Sequence, residues 1–494
     1  MLAPWVSDEM KSADLNDKRL NARLTQVLSA LGEHPTASIP AACGGWDEIV
    51  AAYRFFDNEK VTYERIMAPH GEGTLQRIAA QSIVLLVQDT TELDFTRPQQ
   101  QMVGTGSLDG SSRCGAFLHP LVAFTRDGTP LGTCGTTIWV RDEESDETRV
   151  ETPSERSKRL KATPIEEKES HRWIDGLRQA RQVAQQVPEV KCICISDSES
   201  DIYELFLEPR GERPVEWLVR ACHDRVLEKD AENPAFAAHR LREAVESGPV
   251  LFTKEISVRG RSAKVSCETR GRRQPRESRQ AQVEVRATTA TLLGPPRPGG
   301  RLQNTTVNVV QVREVNAPKS DVPVEWLLIT TLPVETAEQV REIVQYYAVR
   351  FMIEVLFRVL KSGCKVEARR FEHINRMLPC VAVYLIVAWR TLMICRLGQS
   401  CPDLDCEAIF DPAEWKSVWM TVKREQPPRQ APKLSEILPL IAQLGGYVNY
   451  PNRKDPPGPQ TIWLGMQRMY DLALGWNTFG PGAAKAQQTE KTYV

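Results

Sequence analysis

Two short apolar runs constrain this chain more than anything else in it. Ile83-Val84-Leu85-Leu86-Val87 and residues 190–196 are nearly continuous in apolar side chains, many of them β-branched. Such runs fit strands buried on both sides, so helices must cover both faces of their sheet. The first run delivers Gln88-Asp89-Thr90-Thr91 at its C-terminal end, the second Asp197-Ser198-Glu199-Ser200-Asp201. Open α/β sheets hold their ligands beyond the carboxyl ends of such strands. Two aspartates therefore stand where chemistry is expected.

Around these runs the pattern predicts an α/β protein with helical ends. Asn16 or Asp17 can cap a helix whose Leu20, Leu24, Val27, Leu28 and Leu31 share a face, with Gly32 ending it. A second helix is expected over 47–56. Further strands are expected at 116–124, 132–140 and 216–220, with a turn at Asp127-Gly128. The charged stretch 141–162 reads as a surface loop. Thr163-Pro164-Ile165-Glu166 has the form of a helix start, continued by Trp173, Leu177, Ala180 and Val183. Residues 222–327 read as a β-rich insertion. Between Lys254 and Arg301 twelve Lys/Arg stand against four Glu, 12 − 4 = +8, so phosphate contact is its expected role. A long helix over 337–361 and Pro-linked helical patches complete the chain.

Composition narrows the function. The 63 basic and 64 acidic residues exclude a global polycation, so any nucleic-acid surface must come from local segregation of charge. The N-terminus carries no secretory pattern. The longest apolar stretch, 377–389, is shorter than the roughly 20 residues that cross a bilayer and reads as a buried helix. Neither a membrane protein nor a secreted one is expected. The twelve cysteines form no CxxC pair and the seven histidines no knuckle, so reduced thiols in a cytoplasmic protein are expected and a zinc site is not. Cys192 and Cys194 should face one side of their strand.

The long helix carries the densest polar pattern. At about 100° per residue, with Glu354 as zero, Tyr347 falls near +20°, Arg350 near −40°, Arg358 near +40° and Lys361 near −20°. One carboxylate thus lies among three cations and a phenol, while Val349, Met352, Leu356 and Leu360 can pack on a sheet. Alone, the stripe also fits a solvated face with i,i+4 pairs. Joined to Asp89 and Asp197, Glu354 completes a three-carboxylate set whose members repel unless cations neutralise them. Oxygen-only ligation suits Mg²⁺ or Mn²⁺. Two such ions stabilise the attacking and leaving oxygens of a phosphodiester displacement.

The spacing Tyr347-x2-Arg350-x3-Glu354-x6-Lys361 resembles the signature of the insertion-sequence-four group of cut-and-paste DDE transposases, most of all the transposon-five type. The resemblance recurs in order at Leu15-Asn16-Asp17-Lys18-Arg19, Arg23-Leu24, Ala52-Tyr53-Arg54-Phe55, Val87 to Thr91, Asp197 to Ile202 and Trp326-Leu327-Leu328. It implies an RNase H-like core, a mixed sheet with flanking helices, interrupted by the β-rich insertion. The parts implied are an end-binding domain (1–62), the core (63–221 and 328–400), the insertion (222–327) and a helical dimerisation domain (401–494). It implies Asp89, Asp197 and Glu354 as catalytic ligands of two Mg²⁺ ions, with Mn²⁺ a plausible substitute. Tyr347, Arg350, Arg358 and Lys361 would hold phosphates. Trp326 would stack near a flipped base, Arg220 would touch DNA, and Lys18, Arg19, Arg23 and Arg54 would bind end DNA. The partners implied are double-stranded end and target DNA and a second copy of the chain, in a bacterial, nucleoid-associated setting. Ser198 and Ser200 depart from the family's usual arginine and alanine. The alternatives are an inactive descendant that binds ends or inhibits, and a metal nuclease without transfer activity.

Overall fold

The computed structural model describes residues 4–97, 99–109, 112–141, 152–211, 214–228, 239–258, 260, 276–319, 321–448 and 456–480. The strands in chain order are β1 Ile83–Gln88, β2 Thr91–Asp94, β3 Gly106–Ser107, β4 Cys114–Phe124, β5 Pro130–Trp139, β6 Lys191–Ser196, β7 Glu216–Arg220, β8 Phe252–Val258, β9 Arg279–Leu292, β10 Pro296–Arg297, β11 Gly300–Arg301, β12 Thr305–Glu314 and β13 Glu325–Thr330. All but the small β10–β11 hairpin join one sheet of order β2-β4-β1-β6-β7-β13-β12-β9-β8, with β3 and β5 also paired to β4. β1, β6 and β7 run parallel, and every other neighbour is antiparallel. This is the mixed α/β sheet with flanking helices that the two apolar runs demand.

Both central strands are buried on both faces. Leu85 and Val87 of β1 and Ile193 and Ile195 of β6 belong to one core, which the helices Ala337–Val349, Phe351–Arg358 and Ile374–Ser400 also fill. Val84, Leu86, Cys192 and Cys194 belong to the opposite core, closed by Trp173, Leu177 and Ala180 of the helix Arg172–Gln186. The two cysteines share one side, as their spacing predicts, and the eleven described cysteines are all free thiols. A third cluster joins Trp415, Ile437, Ile441 and Met469 of the C-terminal helices to Ile394 and Cys395.

Several local expectations are corrected. Residues 153–162 are a helix rather than a loop, because Thr152-Pro153 and Glu155 form a full capping box. Residues 142–151 of that expected loop lie outside the described ones. Thr163 starts no helix. Its hydroxyl bonds back to the Arg159 carbonyl, two 3₁₀ turns follow, and the helix begins at Arg172. The helix expected after Asn16 or Asp17 is capped by Asp17 and runs from Lys18 through Gly32 to Glu33. Gly32 instead gives close room to Trp5, whose ring lies 3.1 Å from where a Cβ would stand. The apolar stretch 377–389 lies within the 27-residue helix Ile374–Ser400, long and apolar enough to cross a membrane, yet 83% of its most apolar window is buried inside the protein. It is a core helix.

The β-rich insertion is not a separate layer. β13 pairs with β7 in the register Leu328–Arg220, so β12, β9 and β8 extend the core sheet. The boundary expected at 327/328 falls inside β13. Its described part is also less basic than the sequence count suggests. Arg279 pairs with Glu314 and Asp321, Arg286 with Glu284, and Arg297 with Glu204. Arg259, Arg261, Lys264, Arg270, Arg272 and Arg273 lie outside the described residues.

A buried polar node ties the N-terminal helix Pro4–Glu9 to the core. Glu9 accepts from His70 Nδ1 at 2.5 Å and from Arg77 at 2.8 and 3.0 Å. His70 Nε2 accepts the Thr133 amide at 2.9 Å, which fixes the neutral tautomer. Burial works to raise the Glu9 pKa, but His70 and Arg77 outweigh it and lower it to about 2. This contribution is present above the ordinary value of 4.5 and is lost as pH falls toward 2. Glu9→Gln should cost about 3 kcal/mol at pH 7 by leaving the partly buried Arg77 guanidinium without its carboxylate. Urea unfolding would read this, with the gap to wild type closing in acid.

Candidate active site

The register that pairs Val87 with Ile195 on parallel strands continues past both strand ends, placing Asp89 beside Asp197. Adjacent strands lie about 4.8 Å apart, so the two carboxylates meet by construction. Each also fixes its own loop: Asp89 Oδ1 accepts the Thr90 amide and Asp197 Oδ1 the Glu199 amide, both at 2.8 Å. Glu354 arrives from the helix Phe351–Arg358.

All three acids converge on one guanidinium. Arg350 Nη2 lies 2.7 Å from Asp89 Oδ2 and 3.5 Å from Asp197 Oδ2, and Nη1 pairs with Glu354 Oε1. The three carboxylates, remote in sequence, thus surround one small space. Burial pushes the Asp89 carboxyl up to about 7 despite Arg350, with Asp197 and Glu354 adding to the rise. Burial also opposes the charge on Arg350, but the three acids outweigh it and raise its pKa. The guanidinium is an internal cation standing where the acids need positive charge. Hard oxygen donors, no thiol or imidazole, and an excess of negative charge fit a divalent ion of the magnesium type.

The helix that presents Arg350 is not continuous. It breaks at Arg350, whose amide bonds to Tyr347 O in a tight i−3 step, and it ends in a π-turn at Val359–Gly363. These irregularities re-aim the stripe. Tyr347 is buried, and burial pushes its phenol up to about 12 against Arg350 and Arg220. Trp326 packs edge-on to it, with ring centroids 5.1 Å apart. Arg220 donates to the Glu325 carbonyl at 3.1 Å beside this pair. Tyr347, Trp326 and Arg220 therefore lie together on the side of Arg350. Lys361, on the π-turn, pairs with Glu367 at 3.5 Å, and Arg358 is exposed.

A polar chain behind Asp89 was not legible in the sequence. Gln88, His119, Thr90, Arg172 and Glu199 are linked in series: His119 contacts Gln88 Oε1 at 3.0 Å and Thr90 Oγ1 at 2.8 Å, and Arg172 reaches Thr90 Oγ1 and Glu199 at 2.9 Å. Arg172 brings positive charge beside the position where Ser198 stands. Burial pushes His119 down to about 3, so the ring is neutral. Ser200 is fully buried and bonds the Asp197 carbonyl at 2.7 Å.

The N-terminal cations lie apart from this cluster. Lys18, Arg19 and Arg54 are exposed, while Arg23 pairs with Glu48. Among the described residues, the group of ligand-type side chains whose donor atoms all lie within 4.8 Å of one another is Asp201, Cys222 and His223, whereas the three acids around Arg350 stand wider apart. Asp201 is already committed to the Cys222 and His223 amides, at 2.8 Å each, and to Arg225.

Three family models match the chain in succession: transposase DNA-binding over residues 2–61, transposase DDE domain over 155–378, and transposase Tn5 dimerisation domain over 386–478. A cryo-EM structure of a piggyBac transposase synaptic complex with hairpin DNA aligns over 81% of this chain and 73% of that one, with 8% identity and a TM-score of 0.34.

Proposed function

We propose metal-dependent cut-and-paste transposition as the reaction of this chain, a DNA transposase that belongs to the DDE transposases and resembles the Tn5 type. The observation that carries the reading is the convergence of Asp89, Asp197 and Glu354 on one cationic centre. These three would hold two Mg²⁺ ions, or Mn²⁺ in their place. Such ions neutralise the attacking and leaving oxygens of an in-line phosphodiester displacement.

The chain's own residues do the rest. Lys18, Arg19, Arg23 and Arg54 grip the end duplex, and the C-terminal region (401–494) pairs two copies so that two ends are held together. Arg350, Tyr347, Arg358 and Lys361 hold phosphates beside the acids. A water oxygen adds to phosphorus at each end, and the departing oxygen leaves as a free 3′-hydroxyl. That hydroxyl attacks the opposite strand, closing a hairpin and releasing the flanking DNA. Trp326 offers its ring to a base flipped from the tight hairpin, which relieves its strain. Hydrolysis reopens the hairpin, and the 3′-hydroxyl then attacks target DNA. Strands of the β-rich insertion (222–327) extend the core sheet, and a cytoplasmic, nucleoid-associated setting suits every step.

The test is a labelled duplex carrying one inverted repeat from the DNA flanking the gene. With Mg²⁺ the full chain should give a nick, then a hairpin, then a joined product. With EDTA it should bind and cut nothing. Binding without a nick in Mg²⁺ or Mn²⁺ would favour an inactive end-binding protein, and cutting without joining would favour a nuclease.

A further inference from the structure

The N-terminal region shows a large aromatic side chain for which the fold has no use. Trp46 is 77% exposed, at the first position of the helix Trp46–Phe56. Its exposure contrasts with Phe55 and Phe56 of the same helix, which are buried in the core. Three observations define its surroundings. Arg54 follows eight residues later, which at about 100° per residue places it about 80° from Trp46 on the helix, and it too is exposed. Glu48, two residues after Trp46, pairs with Arg23, so this end of the helix abuts the helix Lys18–Glu33 that bears Lys18 and Arg19 in its first turn. The preceding Gly44 and Gly45 have no atom within 4 Å of where a Cβ would lie, so the turn that leads into Trp46 is open.

A phosphate at this helix start is disfavoured. Asp47 and Glu48 occupy the first turn, and no side chain caps it. The remaining chemistry is a flat, apolar face, with exposed Arg54 on the same helix and Lys18 and Arg19 on the neighbouring one, suited to a base or a deoxyribose rather than to a charge. We propose that Trp46 is a further DNA contact, packing its indole on base edges or sugars exposed in a groove of the end duplex while Arg54 and the Lys18–Arg23 segment meet the backbone. This rests on the DNA-binding reading of residues 2–61.

Fluorescence anisotropy with the full chain and a labelled end duplex, at several KCl concentrations, separates the possibilities. Base–aromatic packing lost in Trp46→Ala should weaken binding about tenfold, with Trp46→Phe retaining most of the affinity. The slope of log K against log salt should not change, since no phosphate contact is removed. Arg54→Ala should instead lower that slope by about 0.9. Trp46→Ala binding within about twofold of wild type, or losing affinity together with slope, would overturn the proposal. A wild-type chain that fails to bind the duplex would remove the DNA-binding reading itself, a result distinct from binding that is indifferent to Trp46.

Discussion

Glu354→Gln should leave the chain folded and bound to end DNA while cleavage of that DNA falls by at least about a thousandfold, since each 1.36 kcal/mol lost from a barrier is tenfold in rate and a ligating carboxylate supplies several kcal/mol. The amide keeps the shape of the side chain but removes one of three charges. Glu354 is the most exposed of the three acids, at 41% of its side chain, against 22% for Asp197 and 11% for Asp89. Arg350 retains the other two partners in the variant, so the fold is not at stake. Anisotropy should give wild-type affinity, and a time course in Mg²⁺ should give no nick. Replacement of Mg²⁺ by Mn²⁺ should restore little, because the missing element is the ligand. Nicking at an undiminished rate would remove Glu354 from the catalytic set.

The sequence carried the central strands well because their burial on both faces leaves an unbroken apolar run, and the aspartates are read from where those runs stop. Local chemistry was harder to rank. Thr163-Pro164-Ile165-Glu166 and Thr152-Pro153-Ser154-Glu155 offer nearly the same capping groups, and only the second closes a helix. The choice is tertiary, since the chain after Thr163 must turn to bring Arg172 beside Thr90. The smooth 100° stripe on the long helix was legible, but its break at Arg350 and its π-turn were not. The break brings Arg350 to Asp89 and Asp197, which follow β1 and β6 and are far away in sequence, and the π-turn packs against the helices Ile374–Ser400 and Pro459–Phe479. The chain from Gln88 and Thr90 through His119 to Arg172 and Glu199 had no local signal, because its links join four separate places along the chain.

Arg350→Gln should show the opposite balance to Glu354→Gln: a loss of stability that a divalent ion repairs. In the wild type the guanidinium is the cation nearest to all three acids. Removing it leaves Asp89 buried beside Asp197 and Glu354 with nothing to offset their repulsion. Breaking a buried pair in this way costs about 3–5 kcal/mol, and the partial exposure of Asp197 and Glu354 favours the lower end. The sign with pH follows from Asp89, whose folded value of about 7 stands above its ordinary 3.8. Its protonated form is the one the fold prefers, so stability is fully present below 3.8 and is lost as pH rises through 7. Without Arg350 that loss should deepen and extend to higher pH, so the variant should lag the wild type more at pH 8 than at pH 5. Millimolar Mg²⁺ or Mn²⁺ should then raise the variant's melting temperature more than the wild type's, because in the wild type the ion must compete with a guanidinium already in place. Thermal unfolding with and without the metal reads both effects. Equal melting curves at every pH would mean that the three carboxylates do not share the space that places them together.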